Sequence, residues 1–237
     1  MATVMESLSQ ECLRQINRLD CSMHNIANVG TPGFKAAMLF FNSALDQTET
    51  GEMGETEPLI AVDYSPGVLR KTGNTLDLAI QGEGFFTIET QDGNAYTRDG
   101  RFTLNSSGEL VTQSGDYVLG QTGRITISGG TIEVSEDGTV KSDDVEADQL
   151  HIVCFERSDK LIRGERGLFF DKDEAANPSV DGNSTVQSGF LEMSNVQAIQ
   201  EMVKLIDIHR SFESYQKMMQ TIQEQDKLST SDIGRLA

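Results

Sequence analysis

Few side chains in this sequence are of a type and spacing that could do chemistry. Three histidines, His24, His151 and His209, are scattered along the chain. His24 and His209 fall on different helical stretches and could meet. A metal or catalytic centre needs more than two imidazoles, so they read as ordinary helix residues. Cys12, Cys21 and Cys154 are odd in number. The first two are roughly 13 Å apart along one helix axis, beyond disulfide reach, so all three read as small apolar residues. Asp143-Asp144 with Glu146 and Asp148 could attract Ca²⁺, but the spacing fits no calcium loop and a solvated charge run is the simpler reading. Gly82-Glu83-Gly84-Phe85-Phe86 begins like a dinucleotide loop. It lacks the third glycine and enters a strand rather than a helix, so it reads as a tight turn. Neither a Gly-x-Ser-x-Gly elbow nor a His-Glu-x-x-His pair is present. Asn105-Ser106-Ser107 and Asn183-Ser184-Thr185 are formal glycosylation acceptors and matter only in a eukaryotic secretory setting. The residues point to no active site, no cofactor and no metal.

The elements that would position any site are clearer. Ala198, Met202, Leu205, Ile208, Phe212, Tyr215, Met219 and Ile222 recur at steps of three and four, an apolar seam on one long helix. Ser194 and Gln197 stand in capping-box relation at its start. No Gly or Pro interrupts Asn195 to Leu228, a reach of roughly 50 Å as helix. Met5, Leu8, Cys12, Ile16, Leu19, Met23 and Ile26 form a second seam near the N-terminus, with Thr3 and Glu6 as its capping box. Asn28, Gly30 and Pro32 stop that helix. Asn25 and Asn28 tolerate left-handed backbone and can bond backbone groups, while Phe34 is placed to anchor the exit. Two seams of matching period predict that the terminal helices pair, in coiled-coil fashion.

The middle is different. Net charge is −18. Residues 36–190 hold 27 of the 37 acidic and 11 of the 19 basic residues, so −16 of that charge. This argues against nucleic acid or an anionic membrane surface as partner. The longest apolar run, Ala36 to Phe41, is far short of a membrane span. Cleaved signal peptide features are also missing. Ala36 to Leu45 is ambiguous between helix and extended chain, and Asp46 to Glu57 is an acidic loop. From Val68 onward short alternating Val/Ile/Leu/Phe runs are bounded by turn residues, with hairpin signals at Asp92-Gly93 and Asp137-Gly138. Strands are predicted at 68–71, 76–81, 84–90, 95–98, 101–105, 109–112, 117–120, 124–128, 131–135, 139–141, 149–156, 160–163, 168–171 and 185–191. Gly100-Arg101-Phe102-Thr103-Leu104 and Gly123-Arg124-Ile125-Thr126-Ile127 are weakly self-similar, a repeated hairpin habit rather than a solenoid period. The expected class is α+β: long paired N- and C-terminal helices flanking a mainly antiparallel all-β central domain. The expected division is residues 1–30, a connecting segment 31–67, a β-domain 68–190, and 191–237.

Several motifs recur together in one order. They are Asn25-Ile26-Ala27-Asn28-Val29-Gly30-Thr31-Pro32-Gly33-Phe34-Lys35; Leu76-Asp77-Leu78-Ala79-Ile80-Gln81-Gly82-Glu83-Gly84-Phe85-Phe86; Tyr96-Thr97-Arg98-Asp99-Gly100-Arg101-Phe102; Gly115-Asp116-Tyr117-Val118-Leu119-Gly120; and Leu191-Glu192-Met193-Ser194-Asn195-Val196 with Glu201-Met202-Val203 and Arg210-Ser211-Phe212-Glu213. Over nearly its whole length the chain resembles the bacterial flagellar basal-body rod and hook proteins. Within that group the ending Phe212-Glu213 … Lys217-Met218-Met219 resembles the proximal-rod (FlgF) type, with the distal-rod type second. The resemblance implies a structural subunit of a helical axial rod that transmits torque. Terminal helices would line its inner tube and the β-domain its outer layer. Partners would be other rod and hook subunits, the flagellar type III export apparatus, which needs no cleaved signal, and rings around the rod. The place would be the periplasmic basal body. The candidate assembly residues are Leu8, Ile16, Leu19, Asn25, Ile26, Asn28, Phe34, Ser194, Asn195, Val196, Met202, Leu205, Ile208, Phe212, Met219 and Ile222. Two other readings stay open: a secreted β-rich adhesin or effector with a helical stalk, and an enzyme on a β scaffold, which would need titratable residues clustered in one pocket.

Overall fold

The computed structural model describes residues 2–41, 58–143, 145–171, 176–180 and 184–233. The predicted acidic loop from Asp46 to Glu57, and Asp144, lie outside them. Contacts divide the chain into two units: residues 1–27, 37–61 and 197–237 form one, and residues 28–36 and 62–196 the other.

The first unit holds α1 (Ala2–Ala27), β1 (Ala37–Phe41), β2 (Pro58–Val62) and α2 (Ala198–Ile233). The two strands form a two-stranded sheet, so Ala37–Phe41 of the ambiguous Ala36–Leu45 run is a strand, and residues 42–45 lie outside the described residues. The expectation of long, coiled-coil paired helices is not met. The two are 26 and 36 residues long, and the predicted seams are not buried as coiled-coil seams would be. On α1 the inward positions are Leu8, Cys12, Gln15, Ser22 and Asn25, while the seam residues Ile16 and Met23 are 40% and 54% exposed. On α2, Met202 is exposed and Leu205, Ile208, Phe212, Tyr215, Met219 and Ile222 are only half-buried. The cause lies in residue types. Gln15 and Ser22 occupy inward positions where knobs would be needed, and they satisfy themselves by hydrogen bonds instead. Gln15 Nε2 donates to Glu11 Oε1 at 2.8 Å, and Ser22 Oγ donates to Glu201 Oε2 at 2.7 Å. Leu13, Ile16 and Met23 on α1 and Ile199, Met202, Val203 and Ile206 on α2 remain exposed. The helix start is also corrected. α2 begins at Ala198, and the Gln197 carbonyl accepts from the Glu201 amide at 3.0 Å, so Ser194 lies before the cap rather than on it. Thr3 falls inside α1, not at its cap.

The second unit is built from strands by alternation. They are β3 (Leu69–Lys71), β4 (Leu78–Gln81), β5 (Phe85–Thr90), β6 (Gly93–Thr97), β7 (Phe102–Leu104), β8 (Leu110–Thr112), β9 (Tyr117–Val118), β10 (Ile132–Val134), β11 (Thr139–Ser142) and β12 (Val145–Gln149). They continue with β13 (Ile152–Phe155), β14 (Ile162–Arg163), β15 (Phe169–Phe170), β16 (Pro178–Val180), β17 (Thr185–Ser188) and β18 (Phe190–Glu192). The largest sheet runs β14-β15-β6-β5-β9-β8-β7, with β13 joining β5 and β16 joining β13. All registers among the described strands of this unit are antiparallel. The period of two sends adjacent side chains of β5 to opposite faces. Phe86 and Ile88 enter one core with Leu78, Phe102, Val118, Ile125 and Val186. Phe85 enters a second with Phe155, Leu161 and Phe169. Apolar layers therefore cover both faces of β5, which is why Phe85 to Ile88 are all buried. Both predicted hairpins form, joining β5 to β6 and β10 to β11. Two expectations differ. Residues 124–128 make only isolated bridges, although Ile125 and Ile127 are buried. The acidic run at Val145–Gln149 is a strand on β11, with a register shift at Val140/Lys141. Its exposed side chains carry no alternation signal.

Candidate functional site

Three of the quoted motifs meet around one buried carboxylate. Pro32, Gly33, Phe34 and Lys35 are all buried. Gly33 takes φ 70°, a left-handed turn that glycine adopts without strain, and a Cβ there would overlap the Arg98 carbonyl and Asp99 amide. That turn aims Lys35 inward. β18 supplies Glu192, and the Tyr96–Phe102 motif supplies Arg98. Lys35 and Glu192 are each 1% exposed and Arg98 5%. Lys35 Nζ lies 2.7 Å from Glu192 Oε1, and Arg98 Nη1 lies 3.2 Å from Oε2. The Gly67 amide also donates to Oε1 at 2.8 Å. Two cations and one anion leave an excess positive charge, and carbonyl dipoles meet it. Lys35 donates to Ser65 O at 2.8 Å, and Arg98 donates to Gly82 O at 2.8 Å. Burial pushes the Lys35 amine below its usual range, and Glu192 offsets part of that.

The same segments are sewn together by backbone and amide bonds. Gly33 N–H donates to the Glu192 carbonyl at 2.8 Å. Asn195 Oδ1 accepts from the Ala36 amide at 2.7 Å, while its Nδ2 donates to Asp63 O at 2.9 Å and Ser65 O at 3.1 Å. The Arg163 guanidinium lies 4.1 Å from the Phe34 ring centroid and donates to the Lys35 carbonyl at 3.1 Å. Chemically, this is a buried clamp that holds segments distant in sequence.

Comparison with known sequences fits that geometry. A profile described as the flagellar hook protein FlgE/F/G D1 domain matches residues 79–142, and one described as the flagellar basal body rod FlgEFG protein C-terminal matches residues 187–231. The flagellar basal-body rod protein FlgG of Bacillus subtilis is 35% identical over 87% of this chain and 90% of its own. The chain belongs to the flagellar basal-body rod protein family. FlgF of Rhizobium meliloti is 38% identical over 85% of this chain and 86% of its own, and FlgF of Caulobacter vibrioides 34% over 92% of each. Both the FlgF and FlgG types thus match, and the protein is a structural subunit of the basal-body rod. An adhesin or effector reading finds no support among these rod relatives.

Within this rod protein the expected assembly residues are spread widely. Leu8, Asn25, Phe34 and Val196 are buried within the chain, and Ile16 and Met202 are exposed. Leu19, Ile26, Asn28, Ser194, Asn195, Leu205, Ile208, Phe212, Met219 and Ile222 are half-buried. The structure groups some of them in a cleft of about 60 Å³ between α1 and α2, lined by Gln15, Ile16, Leu19, Ile208, His209 and Phe212. His209 stands there rather than beside His24. Neither Asn25 nor Asn28 uses the left-handed backbone that asparagine tolerates. Asn25 lies inside α1 and clips β1, donating to Ala37 O and accepting from Ala37 N, both at 2.9 Å. The chain reverses at Asn28, whose carbonyl accepts from Thr31 N at 3.1 Å. Two carboxylates of the acidic run, Asp143 and Asp148, are used by backbone. Asp143 accepts from the Gly130 and Thr131 amides, and Asp148 from Thr122. Lys35, Arg98 and Glu192 were missed as a site. Lys35 in Phe34-Lys35-Ala36 and Glu192 in Leu191-Glu192-Met193 carry the signal of a lone charge between apolar neighbours, whereas Arg98, beside Asp99 and Arg101, carries none.

Proposed function

We propose that this rod subunit is a non-catalytic axial element that self-associates, transmits torque and sits at the proximal level of the rod. The observation that carries the reading is apolar surface that the chain's own fold does not cover. Leu13, Ile16 and Met23 on α1 and Ile199, Met202, Val203 and Ile206 on α2 are each 40–79% exposed. They lie along one side of each helix, a stripe left uncovered by the chain's own fold that neighbouring subunits would bury, as heterologous packing in a filament provides. Half-buried Leu205, Ile208, Phe212, Met219 and Ile222 would complete their burial in the same way. The proximal level is supported by the tail Phe212-Glu213 … Lys217-Met218-Met219. Export through the flagellar type III apparatus, contact with rings around the rod and a periplasmic position belong to the same proposal. Family membership supports them, and no described helix is long and apolar enough to cross a membrane.

The test is complementation. The wild-type chain is expected to restore motility to a strain lacking its FlgF-type gene and not to one lacking its FlgG-type gene. Ile16→Lys with Ile206→Lys should abolish that rescue while leaving the circular dichroism of the β-unit unchanged. Rescue of the FlgG-type deletion alone would sink the proximal assignment, and full rescue by the double variant would sink the interface.

A further inference from the structure

Residues 185–193 complete the β-unit from outside its main sheet. β17 pairs with β4 and β18 with β3, each as a two-stranded sheet separate from the nine-stranded one. Gly189, at φ 80°, turns the chain between them. Its amide donates to Asp77 O at 2.8 Å, and its carbonyl accepts from Thr72 and Gly73 at 2.8 and 3.1 Å. The Met193 amide donates to Val68 O at 2.9 Å. The run brings Val186 and Leu191 into burial, at 1% and 3% exposure. It also brings the Glu192 carboxylate to Lys35 and Arg98, across 157 and 94 residues of sequence.

We propose that residues 185–193 are an ion-locked strap: an element that docks last, opens separately from the main sheet, and is held by the Glu192 carboxylate between Lys35 and Arg98. Three features carry this. The strap's strands are not shared with the large sheet. It is the last strand segment of the β-unit in chain order, and it closes onto strands that all precede it. Lifting it would take from Lys35 and Arg98 the carboxylate that bonds them both, so partial release is unfavourable and the strap is either seated or off.

The experiment is native-state amide hydrogen exchange on the full chain at rising sub-denaturing urea, for wild type and Glu192→Gln. In wild type, the amides of Thr72, Gly73, Gly189 and Met193 are expected to share one opening event. That event should be distinct from, and easier than, the one that exposes Thr87, Leu110 and Leu119. Glu192→Gln, which keeps the shape and removes the charge, is expected to speed the strap amides on the order of 100-fold and leave the sheet amides nearly unchanged. A Lys35→Met, Arg98→Met, Glu192→Leu variant should return the strap to near wild-type protection, as a neutral core would. A single common opening for strap and sheet in wild type would overturn the separate strap, and that measurement stands even if a variant fails to fold. Unchanged strap exchange in Glu192→Gln, or equally fast exchange in the triple variant, would overturn the ionic lock.

Discussion

Lys35, Arg98 and Glu192 concentrate the energetic risk of the β-unit in three side chains. Removing Glu192 leaves two buried cations without the carboxylate they share, so Glu192→Ala is expected to cost about 3–5 kcal/mol in urea unfolding. The exposed pair Arg124–Glu89, at 2.7 Å, should show little change when broken, because solvent screens it. Equal losses at the two sites would contradict the burial argument. Gly33→Ala meets both the Arg98–Asp99 backbone and a left-handed φ, and about 1–3 kcal/mol or more should be lost. Acid acts elsewhere. The Thr139 amide and then its hydroxyl hold the Asp137 carboxyl below the usual range, and the Thr131 and Gly130 amides do so for Asp143. A depressed folded pKa means stability present above the unfolded value, about 3.9, and lost as pH falls through the folded one. Asp137→Asn with Asp143→Asn should therefore be less stable than wild type at pH 6 and converge with it toward pH 2. A gap that widens in acid would refute the assignment.

At the scale of elements, the helices and the sheet differ in how they are held. Among the described side chains of α2, Glu201 is the one that reaches full burial, whereas β4, β5 and β8 bury most of theirs. An isolated helix in water is marginal, and its stability comes from packing an apolar face. In a verified monomer, fast amide exchange is expected across Met5–Ile26 and Ile199–Ile222, beside slow exchange across Leu78–Leu119. Strong protection of both helices without neighbours would mean that assembly does not order them.

For the whole molecule, contacts place residues 28–36 with 62–196. A chain of residues 28–196 is therefore expected to fold as a soluble β protein. The shorter span 68–190 lacks Lys35, Leu191 and Glu192 and should sediment as aggregate or show molten dichroism. A well-folded 68–190 chain would show that the clamp is dispensable. By itself the sequence determined the two helices, because a period near 3.6 is written into local side-chain order. It determined most strands and both hairpins, because alternation and Asp-Gly turns are local as well. The family followed from motifs in fixed order. The face each helix buries was not legible: Gln15 and Ser22 go inward through bonds to Glu11 and Glu201, and a hydropathy seam chooses Ile16 and Met23 instead. β12 and β16 were also missed, since an exposed or short strand is defined by its partner's hydrogen bonds, not by its own pattern. The clamp belonged to tertiary structure alone. Burying Lys35 is favourable only once Glu192, 157 residues away, is beside it, and no local pattern encodes a charge whose partner arrives from the far end of the fold.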